Sequence, residues 1–261
     1  MFIAPELLRS MTSMDAFRDD PLMVELFDRF MFWQQHMRPV FAENPTWNPQ
    51  FISECLSAAV RHILAKHPDR DIAILPHFDL PGPDGKRSPA ATEPSASTKE
   101  PLDHTTSESI RRVRYAVLHH SNEPTLKGRL LETPNGAMKI LSSRKDCSCC
   151  IIIEAEEYRT RGVLSFRPEA IAAASTLMSH TSLTDVRTCV TDGLNWMFGR
   201  LVLRDGRQIY LDLNPVDIYL SPLFTPPDDI LRSRLYRVVG LLACWIDGVA
   251  PFIGDAQGGG Q

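Results

Sequence analysis

The feature that most constrains the fold of this chain is an apolar run that ends in acidic residues, Ile151-Ile-Ile-Glu-Ala-Glu-Glu157. Consecutive β-branched apolar residues favour a strand in the interior of a sheet. Side chains alternate across a strand, so Glu154 and Glu156 would share one face. Two such carboxylates either hold a divalent cation through their oxygens or form a solvated strand end. The sequence predicts the strand and leaves both interpretations of its acids open.

The segments around this strand predict an α/β domain with a mixed central β-sheet flanked by helices. Before it, the pattern of residues 111–120 alternates like a strand. After it, Pro168 begins a helix and Thr188-Cys-Val190 forms a strand. Turns at Asp192-Gly193 and Asp205-Gly206 then flank a hairpin. Further strands are predicted at 72–75, 129–132 and 137–141, and a last helix at 228–248.

The chain divides into a main domain with a helical extension before it. The extension, residues 1–47, contains a helix that begins at Asp20-Pro21 and is predicted to end before Pro39. The main domain covers residues 48–250. Within it, residues 81–107 are rich in proline, serine and threonine and are predicted to be a disordered insertion. Residues 251–261 are predicted to be a disordered tail.

Composition limits the classes of function. The chain has 261 residues, 43% of them hydrophobic, a net charge of −4 and a pI of about 6.1. It therefore lacks the overall basic charge of a strong nucleic-acid binder. It also lacks a signal-like N-terminus and the roughly 18 consecutive apolar residues of a membrane span. These features predict a soluble intracellular protein, cytoplasmic or nuclear, that is neither secreted nor membrane-bound.

The six cysteines are predicted to be free thiols in the core. Cys55, Cys189 and Cys244 are scattered through predicted helices and strands. Cys147, Cys149 and Cys150 are close enough to suggest zinc, but no second pair of ligands follows at a finger-like spacing. A zinc site is therefore the less favoured interpretation of this cluster.

The order of helix, strands, acid-tipped strand, helix, strand and hairpin resembles the PD-(D/E)XK nuclease superfamily. It is most similar to the restriction-endonuclease-like domains of many uncharacterised fungal proteins. The resemblance covers roughly residues 48–220 and is most specific over 151–203, where Thr191-Asp-Gly-Leu-Asn-Trp196 looks like the family's strand after the helix. In that family an aspartate on one strand, a glutamate and a lysine on the next, and often a helix glutamine surround magnesium. The resemblance implies a restriction-endonuclease-like fold.

The residues that carry the family's chemistry differ in this chain. Arg114 stands where the metal-binding aspartate is expected, and Glu156 stands where the lysine is expected, while Glu154 matches the glutamate. Glu169 and Ala170 are nearest to the place of the glutamine. An arginine in place of an acid removes a ligand and adds a competing cation. The implied function is a catalytically inactive nuclease-like domain, a pseudoenzyme, that binds nucleic acid or another protein without a cofactor.

Within this interpretation, Arg114, Glu154 and Glu156 are degenerate site positions. We expect Arg114 to form a bidentate ion pair with Glu154 or Glu156 in place of a metal site. The alternative is a magnesium-dependent nuclease, a phosphodiesterase with relocated ligands. In that case Glu154, Glu156 and Glu157 would hold the metal, and Lys139 or Lys145 would supply the cation.

Two other surfaces are suggested by the sequence. The aromatic helix around Phe30, Phe32 and Trp33 would make the chain a protein-interaction module if these rings are exposed. The central region also has a local positive bias that could contact phosphates. Its basic residues are Arg111, Arg112, Arg114, Arg144, Lys145, Arg159, Arg161 and Arg167. The sequence leaves the partner and the oligomeric state open.

Overall fold

A computed structural model of the chain describes residues 19–41, 48–80, 112–121, 130, 136–144, 147–155, 162–218 and 227–248. These residues form an α/β structure with a mixed, open central sheet and helices on both faces. The helices are α1 (Pro21–Phe41), α2 (Asn48–Lys66), α3 (Gly136–Ser143), α4 (Arg167–His180) and α5 (Asp228–Asp247). The strands are β1 (Arg70–Asp79), β2 (Arg112–Ser121), β3 (Ser148–Glu154), β4 (Asp185–Thr191), β5 (Asn195–Arg204), β6 (Arg207–Asp212) and β7 (Val216–Asp217).

The sheet follows the order of the chain, β1-β2-β3-β4-β5-β6, and β7 pairs with the start of β5. All neighbouring strands are antiparallel except β3 and β4, which are parallel. A parallel pair needs a crossover, and α4 supplies it. The β3–α4–β4 unit therefore brings the ends of two strands, at Glu154 and Thr191, to the same edge of the sheet.

Two hydrophobic cores lie on opposite faces of the sheet. On one face, α1, α2 and α5 pack over β2 to β5, with Trp196 and Trp245 fully buried. On the other face, α3 and α4 pack over residues such as Ile151 and Leu201. The apolar residues of α1 therefore belong to the same core as the sheet; they are Met23, Leu26, Phe27 and Phe30.

The predicted strand at 137–141 is wrong, because these residues lie in α3. Ala137, Ile140 and Leu141 are buried on one side of this helix, at the i, i+3, i+4 spacing of a helical face. Four or five apolar residues in a row do not distinguish a strand from a short buried helix, so the pattern was ambiguous. Of the strand predicted at 129–132, the described part contains Leu130, which is helical.

The predicted end of the first helix is also wrong, since α1 passes through Pro39 and ends at Phe41. A proline in the last turn removes one backbone donor, but its φ is compatible with a helix. The predicted start is confirmed, because Asp20 Oδ1 accepts a hydrogen bond of 2.9 Å from the Leu22 N–H. The predicted insertion at 81–107 and the tail at 251–261 lie outside the described residues.

The other predicted elements are confirmed with extended ends. β1 is longer than the predicted 72–75, and α5 ends at the glycine that was expected to stop it, Gly248, which has a φ of 83°. The hairpin of β5 and β6 turns at Asp205-Gly206, where both residues have positive φ. Among the described helices, none has the length and apolar character needed to cross a bilayer.

Candidate functional site

The central feature of the candidate site is an ion pair between β2 and β3. Arg114 Nε lies 3.2 Å from Glu154 Oε2, and the two side chains are 25% and 10% exposed. Tyr115 of β2 pairs with Ile152 of β3 in the antiparallel register. Arg114, near the start of β2, and Glu154, at the end of β3, therefore lie at the same edge of the sheet. The Arg114 guanidinium carbon also lies 5.9 Å from the centroid of the Tyr115 ring, within reach of a cation–π contact. The sheet thus joins two of the residues that the sequence singled out.

The third predicted site residue, Glu156, lies outside the described residues, as do Glu157 and Lys145. Lys139 is described and lies exposed on α3 rather than on a strand. The described residues at the end of β3 therefore offer one carboxylate facing a guanidinium. That donor set does not fit a divalent cation, because the arginine supplies positive charge where the metal would need a second anionic oxygen.

The neighbouring acid, Asp192, is engaged in building a turn. Its Oδ1 accepts hydrogen bonds from the backbone N–H groups of Leu194, at 2.8 Å, and Asn195, at 2.7 Å. Its Oδ2 accepts a hydrogen bond of 2.9 Å from the Asn195 side-chain amide. Burial nevertheless raises the pKa of the Asp192 carboxyl above its ordinary value. The Asp-Gly turn predicted here is confirmed, and the Asp192 oxygens are committed to it.

Two further acids stand near this edge of the sheet. Asp217, on β7, pairs with Asn195, and burial followed by the charge of Asp192 raises its pKa against the opposing effect of Arg234. Glu169, nearest to the family's glutamine position, lies in the first turn of α4, and its buried Oε2 has no hydrogen-bond partner among the described residues. Nowhere in the described ranges do three or more His, Cys, Asp or Glu side chains form a group that could hold a metal ion.

The cysteines are free, and all except the half-buried Cys244 are buried. Burial raises the pKa of the Cys150 thiol to about 12 and also raises that of Cys149. Zinc binding and nucleophilic attack both require the thiolate. In the absence of a metal ion the Cys149 and Cys150 thiols therefore stay protonated at neutral pH, and both side chains pack in the core.

The predicted positive surface is only partly described. Arg111, Lys145, Arg159 and Arg161 lie outside the described residues, as does the side chain of Arg112. Arg167 forms a close ion pair with Asp212. Other arginines are engaged in the same way: Arg200 with Asp185, Arg70 with Asp247, and Arg29 with Glu25 and Glu54. Internal acids and carbonyls thus use much of the described positive charge.

A second charged cluster lies at the opposite end of the same strands. His119, on β2, is half-buried, and its buried Nε2 has no hydrogen-bond partner among the described residues. Burial, followed by the charge of Arg70, lowers its pKa, with a smaller contribution from Arg187 and an opposing one from Asp247. Asp247 also lies 3.7 Å from His67 Nε2. Arg70 and Asp247 are 177 residues apart, so no local pattern could have joined them.

Comparison of the chain with protein-family models, with curated protein sequences and with solved structures gives no match in any of the three.

Proposed function

We propose that this chain is a restriction-endonuclease-like domain in which an ion pair has replaced the metal site, and that it acts by binding another protein. The observation that carries the proposal is the 3.2 Å contact between Arg114 Nε and Glu154 Oε2. In the nuclease superfamily that this chain resembles, the equivalent strands carry the aspartate and the glutamate that hold magnesium. A guanidinium at the aspartate position neutralises the carboxylate of Glu154, so the described residues at this edge of the sheet offer the metal no anionic site.

The arrangement of elements supports the likeness. Arg114 and Glu154 lie on adjacent antiparallel strands, and α4 then crosses over to β4, which is parallel to β3. This is the order that the resemblance implied for the aspartate strand, the glutamate strand and the following helix and strand. Function follows the site rather than the fold, so the changed site makes binding the better-supported activity.

The charges favour protein over nucleic acid as the partner. The net charge is −4, and the described arginines at 29, 70, 167 and 200 form ion pairs with acids of the same chain. Phosphate recognition needs arginines and lysines that are available to neutralise the backbone. The assays described below also test for nucleic-acid binding.

The decisive experiment compares the wild-type protein with variants that restore or remove acids at this edge. Calorimetry with magnesium and manganese is performed on the wild type, Glu154→Gln, Arg114→Asp, and Arg114→Asp/Glu154→Gln. We expect no Glu154-dependent heat for the wild type. We expect binding for Arg114→Asp, because it places two carboxylates on adjacent strands, and loss of that binding in the double variant.

Cleavage and binding assays on DNA and RNA complete the test. Metal-dependent cleavage by the wild type that Glu154→Gln abolishes would overturn the proposal in favour of a magnesium-dependent nuclease with relocated ligands. Salt-sensitive oligonucleotide binding near physiological ionic strength would replace the protein partner with nucleic acid. Absence of both activities, together with metal binding gained by Arg114→Asp, is the expected result.

A further inference from the structure

A broad open groove lies between the outer faces of α1 and α2. Its volume is about 810 Å³. The residues that define its character are three apolar side chains, Val24, Phe32 and Trp33, and four acids, Asp19, Glu25, Asp28 and Glu54. The groove is formed by helices and does not include Arg114 or Glu154. A negative result in the test of the groove would therefore leave the metal-binding test unaffected, and the reverse also holds.

The floor of the groove presents apolar surface to solvent. Phe32 is 57% exposed and Val24 is 37% exposed, whereas other apolar residues of the same helix are buried in the core. Trp33 is half-buried and its ring packs edge-on against Phe51, with ring centroids 6.0 Å apart. Trp33 therefore contacts the core, while more than half of the Phe32 surface is exposed. Of the aromatics suggested by the sequence, Phe30 is buried and contributes nothing to this surface.

The rim of the groove is acidic. Among the described residues that line it, one side chain is basic: Arg29 lies between two of the acids, with Nη2 2.5 Å from Glu25 and Nη1 3.0 Å from Glu54. The hydrogen bond that Arg29 donates to Glu25, followed by the charge of Glu54, raises the pKa of Arg29. The four carboxylates and the one guanidinium give the lining a formal net charge of −3. Arg61 stands beyond Glu54, in a narrower cleft that adjoins the groove.

The combination of an exposed aromatic and an acidic rim defines the chemistry of an occupant. An apolar side chain can be buried against Phe32 and Trp33, while Lys or Arg residues beside it meet the carboxylates. A nucleic acid would be repelled by the same rim. Grooves between helices commonly accept an amphipathic helix through apolar residues spaced three and four apart.

We propose that the groove between α1 and α2 docks a basic amphipathic segment of another protein. Phe32 and Trp33 form its apolar contact. Asp19, Asp28 and the Glu25–Arg29–Glu54 cluster select positive charge on the partner. The expected affinity is modest and sensitive to ionic strength, because Asp19, Glu25 and Asp28 are exposed and therefore screened by salt.

The test uses fluorescence anisotropy with a labelled synthetic peptide of lysine and leucine, patterned as an amphipathic helix. Matched peptides carry glutamate in place of lysine, or serine in place of leucine. The full chain is compared with Phe32→Ser and Asp28→Lys. Control variants change an exposed apolar residue and an exposed acid elsewhere, Leu164→Ser and Asp205→Lys. Circular dichroism verifies that each variant is folded.

We expect binding of the lysine–leucine peptide alone, weakened about tenfold by Phe32→Ser and by Asp28→Lys and unchanged by the two controls. Equal weakening by Asp205→Lys would overturn the proposal, because it would show attraction to the overall negative charge. Affinity that neither groove variant changes would also overturn it. Self-association of the wild type that Phe32→Ser abolishes would identify a second copy of the chain as the occupant instead.

Discussion

Arg187 Nη1, on β4, donates a hydrogen bond of 2.9 Å to the carbonyl oxygen of Trp245 in the last turn of α5. It lies 3.2 Å from the Ile246 carbonyl oxygen, to which it also donates. The last turn of α5 contains no basic residue of its own, so a strand residue supplies the positive charge that favours a helix C-terminus. Gly248 fits closely beside it, since a Cβ there would lie 2.6 Å from Arg187 Nη2.

The first prediction concerns this contact. Arg187→Met should lower the free energy of unfolding by about 2 kcal/mol, because it removes charge-assisted hydrogen bonds and leaves two carbonyl oxygens without that donor. Arg207→Met, at the exposed first residue of β6, is the matched control and should change the free energy of unfolding by less than about 0.5 kcal/mol. Urea denaturation measures both. Equal effects of the two substitutions would show that Arg187 does not anchor α5 to the sheet.

The second prediction concerns Gly199, where β5 passes under the ring of Tyr210. A Cβ at position 199 would lie 2.0 Å from the Tyr210 hydroxyl and 2.6 Å from Thr188 Oγ1, while the Gly199 carbonyl accepts a hydrogen bond from Trp245. The rigid ring cannot move aside without losing its 3.0 Å contact with Thr188. Gly199→Ala should therefore lower the free energy of unfolding by about 2–3 kcal/mol.

A double-mutant cycle identifies the cause. Tyr210→Leu removes the aromatic ring. Gly199→Ala should therefore lower the free energy of unfolding less in the Tyr210→Leu background than in the wild type, by about 1 kcal/mol or more. Additive losses would contradict the steric explanation. The measurement is again urea denaturation of the four proteins.

The sequence predicted best the elements that have a long apolar pattern or a proline or glycine at their ends. The acid-tipped β3, the Pro168 helix and the two Asp-Gly turns are confirmed because each is determined by neighbouring residues. The strand predicted at 137–141 is wrong because a short apolar run suits both a strand and a buried helix face. The cost of a side chain at Gly199 depends on the ring of Tyr210, which pairs with Leu201 on β5 and reaches over Gly199, and no local sequence pattern reveals this register.

The sequence also predicted part of the candidate site and missed the rest. Arg114 and Glu154 could be paired from the sequence because the family resemblance implies that both lie on adjacent strands, although α3 lies between these strands along the chain. The groove between α1 and α2 was only partly anticipated, since the sequence named its aromatics but not its acids. Glu25, Asp28 and Phe32 recur at helical spacing on one face of α1, and that pattern is the signal that could have located the groove. Glu54 joins them only through the packing of α2.

The third prediction concerns the pH dependence that Asp192 confers. Burial raises its folded-state pKa above the ordinary value of 3.8, so the native state holds this proton more tightly than the unfolded state. The resulting stabilisation is present below the unfolded pKa and is lost as the pH rises through the folded pKa. In Asp192→Asn this loss is absent. The stability of the variant relative to the wild type should therefore increase between about pH 4 and neutrality.

Unfolding by urea at a series of pH values measures that difference. Asp205→Asn, in the exposed β5–β6 turn, is the control and should follow the wild type. The variant also replaces a carboxylate that accepts three hydrogen bonds, so its stability can be lower at every pH. The prediction concerns the slope alone. Parallel curves for Asp192→Asn and the wild type would contradict it.

The last prediction concerns His119 and has the opposite direction. Burial, followed by the positive charge of Arg70, with Arg187 and His120 contributing further, lowers its pKa below 6.5, while Asp247 partly opposes this. The unfolded state therefore takes up the proton first as the pH falls. The contribution of neutral His119 to stability is complete above the unfolded pKa and is lost as the pH falls from about 6.5 toward the folded pKa.

His119→Gln should remove this dependence, so the stability of the wild type should fall relative to the variant as the pH drops below about 6.5. His62→Gln provides a comparison in another part of the fold, because burial also lowers the pKa of His62 while Asp20 opposes the shift. The two effects should add, since the residues belong to different clusters. Unfolding curves between pH 5 and pH 8 test this. If His119→Gln and the wild type lose stability equally on acidification, Arg70 and burial do not suppress protonation of His119.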